Sequence, residues 1–247
     1  MQTIVFLDLD DTILQTRPKC PPDEPIEPAA HGRDGQPLSF ITDRQRALLA
    51  LFGAATVIPT TARNRDAFRR VRLPFSGHAI LDFGGVILRP DGTPDPGWDA
   101  IVRPQACHVG PELLAVLKDV QAFIAARGLG VNARLIADFD MPLYLVLKHP
   151  AGDCAALQTV RREHWGGIET DRFFVHLTGN NLSLVPRFLG KERAVRHVLD
   201  QLIPAGPRLV LGAGDSFTDA PFLGLCDFAL LPRQSQLMTS LLEGGRR

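Results

Sequence analysis

An apolar run, Thr3-Ile4-Val5-Phe6-Leu7, ends in Asp8-Leu9-Asp10-Asp11-Thr12. Ile4 to Leu7 read as a short strand buried on both faces, the kind found inside a parallel sheet. This one feature predicts an α/β chain. Acidic residues at the carboxyl end of such a strand stand where open α/β sheets place their ligands. In an extended chain Asp8 and Asp10 share a face, and like charges that close require a cation or a shared proton. The residues point to a magnesium site with one carboxylate left to attack or to shuttle a proton. A strand capped by an Asp-rich turn is the alternative at this point.

Partners for these carboxylates lie further along. Arg208-Leu-Val-Leu-Gly212-Ala-Gly214-Asp215-Ser216-Phe217-Thr218-Asp219 repeats the design, a strand, a glycine turn, then carboxylates at the start of a helix. The spacing aims Asp215 and Asp219 at one pocket. Carboxylate oxygens suit Mg²⁺, which takes one or two of them plus water and substrate phosphate. Thr56-Val-Ile-Pro-Thr60-Thr61-Ala62-Arg63 is a third strand, ending in hydroxyls and a cation. Leu189-Gly190-Lys191-Glu192 opens an amphipathic helix whose N–H groups and dipole favour an anion.

In this order the four segments resemble motifs I to IV of the haloacid dehalogenase superfamily of phosphohydrolases. DLDDT is similar to its DxDx(T/V) motif, TTAR to its second motif, GKERAV to its lysine motif and GDSFTD to GDxxxD. The long insertion between the second and third motifs resembles the Cof-type and sucrose-phosphate phosphatase-like branch. His78-Ala-Ile-Leu-Asp-Phe83-Gly84-Gly85 resembles that branch's Asn-Gly-Ala hairpin. Three positions depart from the pattern: Ala62 replaces a glycine, Thr218 an asparagine and Phe83 the hairpin asparagine. The resemblance implies a doubly wound, mostly parallel, Rossmann-like α/β core with an inserted α+β cap.

The chain has 247 residues, enough for one large core or a core plus a subdomain. Lys plus Arg equals Asp plus Glu, 27 each, so no global field favours nucleic acid or an anionic membrane. Apolar stretches are strand-length and no leader pattern follows Met1, which predicts neither a membrane span nor a signal peptide. Cys20, Cys107, Cys154 and Cys226 are scattered without CxxC spacing, so a reducing cytoplasm is the expected setting. Cys154 and Cys226 sit in apolar sequence and are expected to be core thiols.

Strand and helix signals alternate along the chain. Arg17 to Leu38, rich in proline and charge, is expected to be a long, partly irregular solvated loop with a turn at Asp34-Gly35, a substrate-gating flap being the alternative. Thr42 to Gln45 fit a capping box that starts a helix running to Phe52, and a further helix is expected over Asn64 to Val71. Pro111 to Arg127 carry an apolar stripe, Leu113, Leu117, Val120 and Ile124. Strands are expected over 131–137 and 142–148, a helix over 153–165, and strands over 173–177 and 182–185. That αββαββ pattern predicts a cap over residues 107–186, inserted in a catalytic core of residues 1–106 and 187–247.

The resemblance also implies roles. Asp8 would attack phosphorus and become an aspartyl-phosphate, and Asp10 would protonate the leaving oxygen and then activate water. Mg²⁺ would be held by the Asp8 side chain, the Asp10 backbone carbonyl and Asp215, with Asp219 in support. Thr61 and Lys191 would bind phosphoryl oxygens. Arg63, Gly84, Gly85, Asn180 and Asn181 are candidate substrate contacts; the structural alternative is a solvated helix-start arginine for Arg63 and turn formation for the two asparagines. The expected reaction is Mg²⁺-dependent hydrolysis of a small phosphorylated metabolite, a sugar phosphate or phosphoglycerate type. A phosphomutase using the same intermediate and a non-catalytic phosphate-binding or partner-binding module remain the alternatives.

Overall fold

The computed structural model describes residues 1–168 and 171–244. The chain divides into two compact units, Met1–Trp98 with Gly190–Arg247, and Asp99–Leu189. The expected boundary near residue 107 falls inside one long helix, so the second unit begins earlier and ends slightly later than its sequence rhythm suggests.

In the first unit, β1 (Gln2–Leu7) opens the chain, and its residues Ile4, Val5, Phe6 and Leu7 are fully buried. Each such side chain contributes about 1.5–3 kcal/mol by leaving water. Three short strands follow, β2 (Gln15–Thr16), β3 (Ile26–His31) and β4 (Pro37–Thr42), which form an antiparallel sheet in the order β2-β4-β3. The solvated loop expected over Arg17 to Leu38 is therefore corrected in part: Ile26–His31 and the start of β4 are strand, while the stretches between remain turns and irregular chain. Proline and charge masked the strand signal: Pro28 is accommodated by register shifts around Ala30, and Ala30 also bridges Val71. A turn stands at the expected place, with the Gly32 N–H donating to the Gln36 carbonyl and Gly35 at φ +76°.

Helix α1 (Asp43–Leu51) starts on the expected capping box of Thr42 and Gln45. β5 (Thr56–Pro59) then runs beside β1, and α2 (Arg65–Phe68), capped by Asn64, is only one turn long. It stops short of the expected Val71 because that residue is taken up in the bridge to Ala30. β6 (Ala79–Leu81) and β7 (Val86–Leu88) form the hairpin that carries Gly84 and Gly85.

Helix α3 (Pro96–Arg127) starts fifteen residues before Pro111. Pro104 and Pro111 lie inside it, and each costs one backbone hydrogen bond without ending the helix. The buried stripe Trp98, Val102, Ala106, Val109, Leu113, Val120 and Ile124 runs through both prolines at helical spacing. Burial along that stripe outweighs the local breaker signal.

In the second unit, β8 (Asn132–Asp138) and β9 (Met141–Lys148) form a tight hairpin with Phe139 and Asp140 at positive φ. Helix α4 (Cys154–Thr159) continues as a wider turn over Val160–His164. β10 (Phe173–Thr178) and β11 (Asn181–Pro186) complete an antiparallel sheet in the order β10-β11-β9-β8. Its core includes Leu113, Val120, Leu145, Leu157, Trp165, Leu182 and Leu184. The αββαββ pattern is realised as one sheet because β11 inserts beside β9.

Back in the first unit come α5 (Lys191–His197), β12 (Arg208–Ala213), α6 (Ala220–Leu223), β13 (Phe228–Leu230) and α7 (Gln236–Gly244). The main sheet has the order β13-β12-β1-β5, all parallel. Cys154 is exposed at a helix start, which corrects its expected place in a core, and Cys226 is partly buried. No helix among the described residues is long and apolar enough to cross a membrane.

Candidate active site

The carboxyl ends of β1, β5 and β12 lie side by side, since Leu7 pairs with Pro59 on one side and Ala213 on the other. Each strand therefore delivers its following polar residues to the same edge of the sheet. The Asp8 N–H donates to the Ala213 carbonyl at 2.9 Å, and the Thr60 N–H donates to the Leu7 carbonyl at 2.8 Å. These two bonds carry the register of the sheet into the site.

Asp8 is buried. Its Oδ2 accepts from Thr12 Oγ1 at 2.9 Å and its Oδ1 from Lys191 Nζ at 2.7 Å. Lys191 also donates to Asp219 Oδ1 at 2.6 Å. The second oxygen of Asp219 accepts from the backbone N–H groups of Asp215 and Ser216 at 3.1 and 2.9 Å, and from Ser216 Oγ at 2.9 Å. Asp219 is fully buried with both oxygens engaged, so it fixes the ammonium and the Gly214–Ser216 turn together. Thr218 Oγ1 is spent on Ser216 Oγ at 2.8 Å.

Burial raises the Asp8 pKa well above the carboxylate range, and Asp219 and Asp215 push it further while Lys191 opposes them. Burial likewise lifts Asp215 to about 7, with Asp219 and Asp11 adding to it. Lys191 is desolvated, which works against its charge, but Asp219 and Asp8 outweigh this and hold it above its ordinary value. Asp8, Asp215 and Asp219 each offer an oxygen, and the three atoms lie within 4.8 Å of one another. Three buried carboxylates against one ammonium leave an excess of two negative charges when all are ionised. A divalent cation with a preference for oxygen fits that donor set.

Asp10 goes elsewhere. The strand ends at Leu7, and a turn with Asp11 at φ +63° redirects the chain. The face shared by Asp8 and Asp10, expected from an extended chain, is thereby corrected. Arg63 grips the Asp10 carboxylate through Nε and Nη2, both at 2.7 Å, and also donates to Ser39 Oγ at 3.2 Å. Burial works against the Arg63 charge, but its bonds to Asp10 outweigh that and raise its pKa. Arg63 thus has a carboxylate partner. Ser39 comes from β4, so the small antiparallel sheet forms part of the wall.

Thr61 is buried beside these groups. Its Oγ1 accepts from the Arg63 N–H at 3.1 Å and its own N–H donates to the Ile80 carbonyl at 2.9 Å. Gly84, at φ +91°, lets the hairpin press against the start of α5: a β-carbon there would lie 2.7 Å from the Gly190 carbonyl carbon and overlap its oxygen. Gly84 is used for this close approach, and Gly85 follows it in the turn, its N–H donating to the Asp82 carbonyl at 2.9 Å. Phe83 is buried at φ +56°, a conformation that asparagine adopts more readily.

Asn180 and Asn181 belong to the second unit. The Asn180 amide is spent on the backbone of His149, accepting from its N–H at 3.0 Å and donating to its carbonyl at 2.6 Å. Asn181 pairs with Thr178 at the hairpin end. Thr12, Ser216 and Ser39 are the contacts that sequence reasoning missed. Thr12 and Ser216 stand inside quoted motifs, whereas nothing local marks Ser39.

No family model and no curated protein matches this chain. Solved structures do. A protein of Thermoplasma acidophilum is 15% identical, with 98% of this chain and 89% of that chain aligned at a TM-score of 0.54. The C-terminal domain of trehalose-6-phosphate phosphatase from C. albicans is 14% identical over 100% of this chain and 78% of its own, with a TM-score of 0.53. The sucrose-phosphatase of Synechocystis sp., solved with sucrose and phosphate, is 17% identical over 100% and 88%, with a TM-score of 0.50. At these identities the likeness shows a shared fold: a parallel-sheet α/β unit with an inserted α+β unit, the architecture that the motif order led us to expect.

Proposed function

We propose that the chain is a phosphatase acting on a small phosphorylated metabolite through an aspartyl-phosphate at Asp8. The observation that carries this reading is the environment of Asp8: a buried carboxylate held by Lys191 and Thr12 among further acidic groups. Phosphate monoesters react so slowly in water that both a positioned nucleophile and strong charge neutralisation are required. The two hydrogen bonds fix the direction in which Asp8 presents its oxygens.

Lys191 and Thr61 would receive the non-bridging phosphoryl oxygens, the first as a charge and the second through its hydroxyl. Asp10 is half-exposed, so its carboxylate is open to solvent. It would donate the proton to the departing oxygen and then take one from water, with Arg63 orienting it in the resting site. Asp8 and Asp215 would hold Mg²⁺, with the Asp10 carbonyl, while Asp219 keeps Lys191 and the turn in place. Bound there, Mg²⁺ would offset the excess negative charge and polarise the phosphoryl group. That all three structural neighbours span most of this chain, two of them being sugar-phosphate phosphatases by name, supports a phosphorylated sugar as substrate class.

Inorganic phosphate released from p-nitrophenyl phosphate, with and without Mg²⁺, tests the reading. Turnover that depends on the cation and disappears in Asp8→Asn is expected. Full activity in excess chelator would reject the metal, and full activity in Asp8→Asn would reject the covalent route. A screen of phosphorylated sugars and phosphoglycerates, read by net phosphate release, then separates hydrolysis from phosphoryl return to the substrate.

A further inference from the structure

Asp95 stands outside the acid cluster and has no part in the chemistry above, yet it is only 4% exposed. Its Oδ1 accepts from the Trp98 N–H at 2.8 Å and lies 3.2 Å from His197 Nε2, and its Oδ2 lies 3.6 Å from Arg89 Nε. Burial opposes its charge, but the Trp98 N–H and His197 outweigh that and hold its pKa below the ordinary value. The Trp98 ring sits 5.1 Å from the His197 ring, and its Nε1–H donates to the Gly84 carbonyl at 2.9 Å. Gly84 is the residue at which a β-carbon would meet the backbone of Gly190 and the Lys191 backbone nitrogen.

These contacts form a closed path around α5. Lys191 begins that helix and His197 lies roughly 9 Å further along the axis at 1.5 Å per residue, where the helix passes into a wider turn over Val198–Leu202. Asp95 therefore holds the helix partway along through His197 and at its start through Trp98 and Gly84. None of these contacts involves β1 or β12, the strands that lead into Asp8 and Asp215. We propose that Asp95, His197 and Trp98 are positioning residues for Lys191, setting where its ammonium stands between Asp8 and Asp219. The proposal concerns the lysine's placement; its effect on turnover rests on the phosphatase reading above. Lys191 reaches both carboxylates at hydrogen-bond distance, and a displacement of about 1 Å is enough to cost on the order of 10²-fold in rate.

The test reads the lysine directly. An ammonium shared by two buried carboxylates exchanges slowly and gives a protected side-chain signal in ¹H–¹⁵N spectra, assigned by its loss in Lys191→Met. In His197→Ala and in the milder Trp98→Phe this signal is expected to shift or broaden, and His197→Gln, which can still donate to Asp95, restores it. Affinity for inorganic phosphate in the presence of Mg²⁺ should fall at least tenfold in His197→Ala and recover in His197→Gln, with Mg²⁺ affinity changed less than twofold. An unchanged signal in folded His197→Ala and Trp98→Phe overturns the proposal. So does a parallel loss of Mg²⁺ affinity and melting temperature, which marks a merely structural role. If the ammonium responds as expected while the wild-type protein neither binds nor releases phosphate, the positioning stands and the phosphatase reading falls.

Discussion

Asp8 and Asp10 carry the same functional group two positions apart, and their surroundings make them different reagents. Asp8 is buried, bonded to Thr12 and Lys191, and pushed up in pKa by its desolvation. Asp10 is half-exposed and clamped by Arg63. Asp8→Asn is expected to abolish phosphoenzyme formation, checked by acid-quench trapping, while circular dichroism remains that of the wild type. Asp10→Asn should slow alkyl phosphates by about 10²–10⁴, the usual contribution of a positioned acid–base group. p-Nitrophenyl phosphate, whose leaving group departs without a proton, should lose far less. A leaving-group series measures this, and equal loss across the series would take the acid role from Asp10. Asn180 belongs to the same scale: with both ends of its amide on His149, Asn180→Ala should cost about 1–3 kcal/mol of stability by leaving backbone groups unpaired. A substrate-specific rise in KM with unchanged stability would show the opposite.

At the level of elements, close approach between the β6–β7 hairpin and α5 decides where Lys191 stands. Gly84 makes it work by combining φ +91° with the absence of a side chain. Gly84→Ala introduces both a backbone strain and an overlap with Gly190, and should destabilise the protein by more than 2 kcal/mol. At about 2–4 °C per kcal/mol for a chain of this size, the melting temperature should fall by at least about 4 °C. A variant melting within a degree of wild type would mean that the hairpin yields. The same scale explains what the chain pattern concealed. Pro111 looked like a helix start because breaker signals are local, whereas the burial that carries α3 through Pro104 and Pro111 accumulates over its whole apolar stripe. Pro28 and the charges around it hid β3, which exists because β4 and Val71 supply backbone partners.

Over the whole molecule, equal numbers of acidic and basic residues give no net field, and the electrostatics are concentrated in one buried cluster. Burial, with Asp219 and Asp11 adding to it, pushes Asp215 up to about 7 when folded, against the ordinary carboxylate value of 3.8 in the unfolded chain. The folded state therefore holds a proton that the unfolded state has released, so the cation-free protein loses stability as pH rises from about 4 to about 7. Taken alone, Asp215 accounts for a loss on the order of 4 kcal/mol at about 1.4 kcal/mol per pH unit. A divalent cation binds the ionised carboxylates and should reverse this, so the rise in melting temperature on adding Mg²⁺ should be larger at pH 8 than at pH 5. Thermal melts at the two pH values check it. A Mg²⁺ effect independent of pH would remove the acid cluster as the binding site.

The parallel core, the αββαββ unit and the four polar segments at strand ends and helix starts were legible from the chain because each rests on short-range patterning: apolar runs of strand length, helical periodicity and glycine turns. Membership of Asp8, Asp215 and Asp219 in one cluster followed from topology, since parallel strands bring their carboxyl ends to one edge, whereas Lys191 reaches it from the start of α5. Partner choice within the site was decided only in three dimensions. Asp10 turns to Arg63 and Ser39, Asp219 spends both oxygens on Lys191 and the Gly214–Ser216 turn, and Asp95 joins His197 from 102 positions away. Hydrogen-bond partners of buried charges are set by whichever donors the packed elements bring within about 3 Å, and sequence separation carries no information about that.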